Sequence, residues 1–145
     1  MRITVINGPN INMTGIREPE VYGSRTYGDL VGYIEETCLM HGAECEVFQS
    51  NHEGAIVDRI QECLGRTDAI VINAGAYSHT SIAILDALKS VSLPVAEVHM
   101  SDITKREEFR HFTYVSLAAE ARFMGRGFDS YGDAIVYLTE KYGEK

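Results

Sequence analysis

The chain contains no tryptophan and only three prolines and three cysteines. Cys38, Cys45 and Cys63 are odd in number and show no C-x-x-C spacing, which excludes a disulfide framework and gives no thiolate metal site. Cys38 and Cys63 fall on apolar helical faces and read as buried thiols in a reducing compartment. No basic run is present: Lys and Arg number 13 against 21 Asp and Glu, for a formal net charge of −8. A nucleic-acid or anionic-membrane partner needs a basic stripe, so neither is expected. Nor is there a long apolar run of membrane-span or signal-peptide type, and the expected location is the cytoplasm.

Two nucleotide signatures are also missing. No G-x-x-x-x-G-K and no G-x-G-x-x-G follows the first apolar run, which removes a P-loop and a dinucleotide fingerprint. A flavin carrier ranks well behind for the same reason, and a purified protein without visible flavin absorbance would remove it. A phosphoacceptor aspartate at the end of the third strand would mark a response-regulator receiver, but Asn73 stands there. No His, Cys and carboxylate set has metal-ligand spacing, so no metal site is expected.

What is present is regular alternation. The 145 residues are 45% hydrophobic, enough for one core, and the chain reads as one domain over residues 1–145. "RITVI" (2–6) is a short apolar strand ended by the turn "NGPN". Tyr27, Leu30, Val31, Ile34 and Cys38 then repeat at helical spacing until Gly42. "ECEVFQ" (44–49) is a second strand, and Ile56, Val57, Ile60 and Leu64 a second helical face. "AIVIN" (69–73), a helix over 80–90 with Ile82, Leu85 and Leu88 inward, and "VAEVH" after Pro94 continue the pattern. "KREEFR" predicts one or two helical turns, 121–125 a fifth strand and 131–142 a closing helix. Strands alternating with helices imply right-handed crossovers and a parallel sheet covered on both faces. The expected fold is α/β, a flavodoxin-like three-layer sandwich on a five-stranded parallel sheet.

Ligands of such sheets bind beyond the C-terminal strand ends, where connections diverge to opposite faces. That rule selects residues 7–10, 73–81 and 97–110. Glu97 and His99 lie two apart, on one face of the fourth strand, where a histidine can be a hydrogen-bonded structural residue or a general acid or base. In "NAGAYSHTS", capping and turn formation explain Ser78, Thr80 and the small residues but not His79. Arg106 and Arg110, at i and i+4, are either solvated charges paired with Glu107 or Glu108, or a carboxylate clamp. A local arginine cluster can hold an anion in an acidic protein, because other surface charges are screened beyond about 8 Å.

"REPEVYG" (17–23) places Arg17 and Tyr22 on a loop. A tyrosine acts as a base only when ionised, and moving its pKa from about 10 to about 7 needs roughly 4 kcal/mol. One exposed cation supplies at most about 1 kcal/mol. The pair makes chemical sense only if the loop closes on a ligand, sheds water and meets a second cation such as Arg106.

Together "NGPN" with "REPEVYG", "QSNHEG", "NAGAYSHTS", "EVHMSD" and "REEFR" resemble, in content and order, the type II 3-dehydroquinate dehydratases, over about three quarters of the chain. The resemblance implies a cofactor-free lyase of the shikimate pathway that removes water from 3-dehydroquinate by anti elimination through an enolate, working as a homo-dodecamer of four trimers. It implies Tyr22 as the base, Arg17 as its activator, Asn10 holding a water against the enolate oxygen, and His99 protonating the departing hydroxyl. Asn73, His79, Met100, Ser101, Arg106 and Arg110 would bind substrate. Asp86, roughly 9 Å along its helix from the crevice, would serve a neighbouring subunit.

The alternative is a flavodoxin-like carboxylate-binding homologue with weak or lost activity. Ile11, Met13 and Thr14 stand where the family usually has leucines, and Asp102 where it has asparagine. An inward Asp102 would lower substrate affinity. Ala121 and Ser130 replace glycines, and Arg122 and Arg126 replace apolar residues, which bears on contacts between subunits.

Overall fold

A computed structural model describes residues 1–16, 20 and 24–143. Five strands, β1 (Arg2–Asn7), β2 (Glu44–Gln49), β3 (Ala69–Asn73), β4 (Val95–His99) and β5 (Ala121–Met124), form one sheet in the order β2-β1-β3-β4-β5. Every pairing is parallel. Helices α1 (Tyr27–Met40), α2 (Glu53–Glu62), α3 (Ile82–Val91) and α4 (Phe128–Tyr142) cover it.

Strand alternation divides the core. Ile3, Val5, Val71 and Val98 pack with Leu30 and Ile34 of α1 and Phe128, Ile135 and Leu138 of α4. Ile6, Ile70, Ile72 and Val95 pack with Ile56 and Ile60 of α2 and Ile84 and Leu88 of α3. β3 and β4 are buried along their whole length, and β3 reads accordingly as an apolar run up to Asn73, whereas β4 carries Glu97 and His99 into the interior. Chain order reverses at β1, between β2 and β3, so connections leave in opposite directions and open a crevice at the C-terminal ends.

Local chemistry fixes the boundaries. Thr26 and Asp29 form a reciprocal capping box that starts α1, and Gly42, at φ 72°, lies just beyond its end. β1 stops because Gly8 passes backbone to backbone against β3. Its N–H donates to the Asn73 carbonyl at 2.8 Å, and a Cβ there would lie 2.2 Å from the Ala74 carbonyl oxygen. Beneath this contact, the fully buried Tyr131 hydroxyl donates to Asn7 Oδ1 at 2.6 Å and accepts from Asn73 Nδ2 at 2.9 Å.

Several sequence expectations need correction. The third helix begins after Ser81, whose hydroxyl caps it, so Ile82 is solvent-exposed and Ile84 takes an inward place beside Leu85 and Leu88. α2 ends at Glu62, leaving Leu64 exposed and Cys63 buried. The segment "KREEFR" holds no continuous helix. Two 3-10 turns, Ile103–Lys105 and Glu108–Arg110, flank an extended Arg106, so the two arginines do not share a helical face. Two of the C-terminal departures from the family pattern, Arg126 and Ser130, are satisfied within the chain. Ser130 Oγ accepts from the Arg126 N–H at 3.0 Å, and the Arg126 guanidinium reaches both Asp133 oxygens at 3.0 and 2.9 Å.

Candidate active site

The crevice at the ends of β1, β3 and β4 encloses a cavity of about 90 Å³. Its lining includes Asn10, Asn73, His79, His99, Met100, Ser101, Arg106 and Arg110. Asp86 is not among the lining residues, and it is exposed on α3. Arg17 and Tyr22 lie outside the described residues. A larger cavity of about 620 Å³ sits at the opposite end of β1 and β2, against α2. There Arg2 pairs with Glu44 and Arg59 with Glu46, so its charges are largely spent on one another, and none of the sequence candidates lines it.

Glu97 and His99 form a buried acid–base pair. Glu97 is fully buried and His99 is 5% exposed. Alternation along β4 puts them on one face, where His99 Nε2 donates to Glu97 Oε2 at 2.6 Å. Burial pushes the Glu97 carboxyl up, but hydrogen bonds from His99, Ser116 and Thr113 outweigh it and hold the group below the usual carboxylate range. An anion on Nε2 leaves Nδ1 as the ring nitrogen able to exchange a proton with a ligand.

His79 comes from the 3-10 turn Gly75–His79 after β3 and stacks beside His99, with ring centroids 6.2 Å apart. Its Nδ1 donates to the Phe112 carbonyl at 2.8 Å. Partial burial lowers its pKa, with His99 and Arg110 adding to the effect, so the ring is neutral and Nε2 is an acceptor for a hydroxyl. Asn73 is held from both sides: Nδ2 donates to Tyr131, and Oδ1 accepts from the Gly75 N–H at 3.2 Å. That leaves the second amide proton for a ligand.

Asn10 has φ 69°, a left-handed conformation that a non-glycine residue adopts at a cost of order 1 kcal/mol. Its N–H donates to Asn51 Oδ1 at 3.0 Å, and Gln49 Nε2 reaches the same oxygen at 3.1 Å and the Gly8 carbonyl at 3.1 Å. Gln49 and Asn51 thus hold the first loop over the crevice. Both belong to the stretch "QSNHEG", in which spacing alone assigns neither a role.

Arg106 and Arg110 supply the positive charge, with Glu107 between them at 3.9 and 2.8 Å. Two guanidiniums on one wall of the crevice are suited to a carboxylate. Arg106 also donates to Ser101 Oγ at 3.5 Å. Asp102 does not weaken this wall. Its carboxylate accepts from the Thr104 N–H at 3.0 Å and hydroxyl at 2.6 Å, capping the turn Ile103–Lys105 outside the cavity lining. The Thr104 bonds also keep its carboxyl below the ordinary range.

The model of the family described as Dehydroquinase class II matches residues 1–139. The chain belongs to the class II dehydroquinases. It is 49% identical over 143 residues to the catabolic 3-dehydroquinase of Penicillium rubens, covering 99% of this chain and 92% of that protein. It is 48% identical over 144 residues to the 3-dehydroquinate dehydratase of Aliarcobacter butzleri, covering 99% and 88%. The crystal structure of the type II dehydroquinase from Butyrivibrio crossotus superposes with a TM-score of 0.94 at 50% identity, over 96% of this chain and 97% of that one. A five-stranded parallel sheet with helices on both faces is therefore the class II dehydroquinase fold, and the crevice lies where the flavodoxin-like topology requires it. Among the described residues, no helix is long and apolar enough to cross a membrane.

Proposed function

We propose that the chain is a 3-dehydroquinate dehydratase of the type II kind, and that the crevice is its active site. The observation that carries this reading is the buried Glu97–His99 pair, bonded at 2.6 Å, at the floor of a crevice with an arginine wall. Removing water from a β-hydroxy ketone needs a base beside the ketone, stabilisation of the enolate, and an acid for the departing hydroxyl. The residues divide along these lines.

Tyr22 takes the proton next to the ketone, with Arg17 favouring its ionised form and Arg106 as a second cation. Asn10, its carboxamide without a partner among the described residues, holds a water against the enolate oxygen. His99 gives the Nδ1 proton to the hydroxyl, which leaves as water, and the carbon–carbon double bond forms in conjugation with the ketone. Glu97 stabilises the imidazolium beforehand. Arg110 and the Ser101 hydroxyl with the Met100–Ser101 backbone receive the carboxylate, while Asn73 and His79 receive the ring hydroxyls. No step calls for a cofactor.

Arg110→Ala is expected to raise KM about a hundredfold with a smaller change in kcat, because a charge-assisted carboxylate contact is worth about 3 kcal/mol. Steady-state kinetics on the variant check this. A KM within about threefold of wild type would remove Arg110 from the carboxylate site.

Asp86 serves the crevice of a neighbouring subunit in a homo-dodecamer of four trimers working in the cytoplasm. Its exposure on α3 beside the exposed Ile82, together with exposed Phe109 and Phe112, supports that arrangement. The test of the function is ultraviolet absorbance after adding 3-dehydroquinate to the purified protein. The conjugated enone carboxylate should accumulate at above about 1 per second, and a folded protein that forms none overturns the reading.

A further inference from the structure

The Glu97 carboxylate has more partners than His99. Thr113 Oγ1, 3% exposed, donates to Glu97 Oε2 at 2.7 Å, and the Ser116 hydroxyl donates to Oε1. The Ser116 N–H in turn donates to Thr113 Oγ1 at 2.9 Å, so the two side chains form one rigid clip around the 3-10 turn Val115–Leu117. Neither residue lines the crevice. Both act, if at all, through the carboxylate.

We propose that Thr113 and Ser116 are positioning residues for the dehydration, keeping Glu97 anionic so that the proton in the Glu97–His99 hydrogen bond stays on His99 Nε2. This rests on His99 being the proton donor. In the state ready for turnover Nδ1 is protonated and one further proton lies between Nε2 and Glu97. With that proton on Nε2 the ring is imidazolium, an acid with an ordinary pKa near 6.5. With it on Glu97 the ring is neutral imidazole, whose remaining N–H is far too weak an acid to release a hydroxyl. Both states carry the same number of protons, so the choice depends on how basic the carboxylate is. Two hydroxyl donors reduce that basicity, and burial of the whole group removes the water that would otherwise supply them.

The other titratable and charged groups facing His99 do not make this choice. His79 stacks on the ring from the turn after β3, and Arg106 and Arg110 face it from the segment after β4, with Glu107 paired to Arg110. The cations oppose a proton on either site, and none of these groups is hydrogen-bonded to the Glu97 carboxylate.

The test uses Ser116→Ala, which removes one donor and leaves the Thr113 cap intact, with Thr113→Ser as the conservative control. Ser116→Ala should lower kcat about tenfold at a KM within about twofold of wild type. The alkaline limb of its kcat profile should move to higher pH, because the more basic carboxylate makes the pair hold its proton longer. Nitrogen-15 spectra of the His99 ring in the free enzyme, recorded at a pH below the alkaline limb, should change from two protonated nitrogens in wild type to partial loss of the Nε2 proton. Thr113→Ser should keep wild-type values. Unchanged ring spectra together with an unmoved limb overturn the proposal. A ring spectrum that changes as expected while kcat does not would instead overturn His99 as the proton donor.

Discussion

Replacing His99 by alanine is expected to lower kcat about a thousandfold, in the middle of the range for loss of a general acid. Hydroxide is a poor leaving group, and among the described residues lining the crevice no other side chain is placed to protonate it. His79 is held neutral by partial burial, with its Nδ1 proton committed to Phe112. Arginines stay charged and do not give up protons. The substitution strips one of three donors from a buried carboxylate, which costs about 1–3 kcal/mol of stability. Thr113 and Ser116 remain to satisfy Glu97, so the variant should fold. Urea unfolding measured beside the kinetics separates the two losses.

Tyr22→Phe is expected to reduce turnover by at least about a thousandfold, since no other group is assigned to remove the proton beside the ketone. Ionising a phenol near neutral pH takes roughly 4 kcal/mol relative to its ordinary state. Under the proposed assignment, Arg17 and Arg106 are the cations that supply it. Phenylalanine keeps the ring and deletes only the oxygen assigned as the base. Steady-state turnover reads the effect, and a rate within about tenfold of wild type would remove Tyr22 as the base.

Most of this architecture was legible because the fold is repetitive and its signals are local. Three strands coincide with their sequence bounds, since short runs set between helical faces and turn formers leave little choice. The rule for crevices in parallel sheets then placed eight candidate residues around one cavity. Less legible were features set by backbone geometry or by distant partners. Arg106 and Arg110 have helical spacing, but the extended residue between the two turns breaks the helix, and the side chains converge by a different route.

Ser81, not Thr80, caps α3, a one-residue shift that turned Ile82 outward. Thr113 and Ser116 carry no motif at all. Their part is visible only once a loop 16 residues downstream of Glu97 folds back onto it. Gln49 and Asn51 likewise act through the left-handed backbone of Asn10, which no spacing announces. Asp102 shows the reverse case: the charge was legible, and its direction was not, because a turn cap claims it.

The division of labour between base and acid can be tested in one experiment: incubate His99→Ala with 3-dehydroquinate in deuterium oxide and follow substrate and product together. If the enolate forms on one group and the hydroxyl leaves on another, the variant should place deuterium on the carbon beside the ketone while product hardly accumulates. Product at the wild-type rate, or a substrate that neither exchanges nor reacts in a folded protein, would contradict the assignment of His99 to the second half of the reaction.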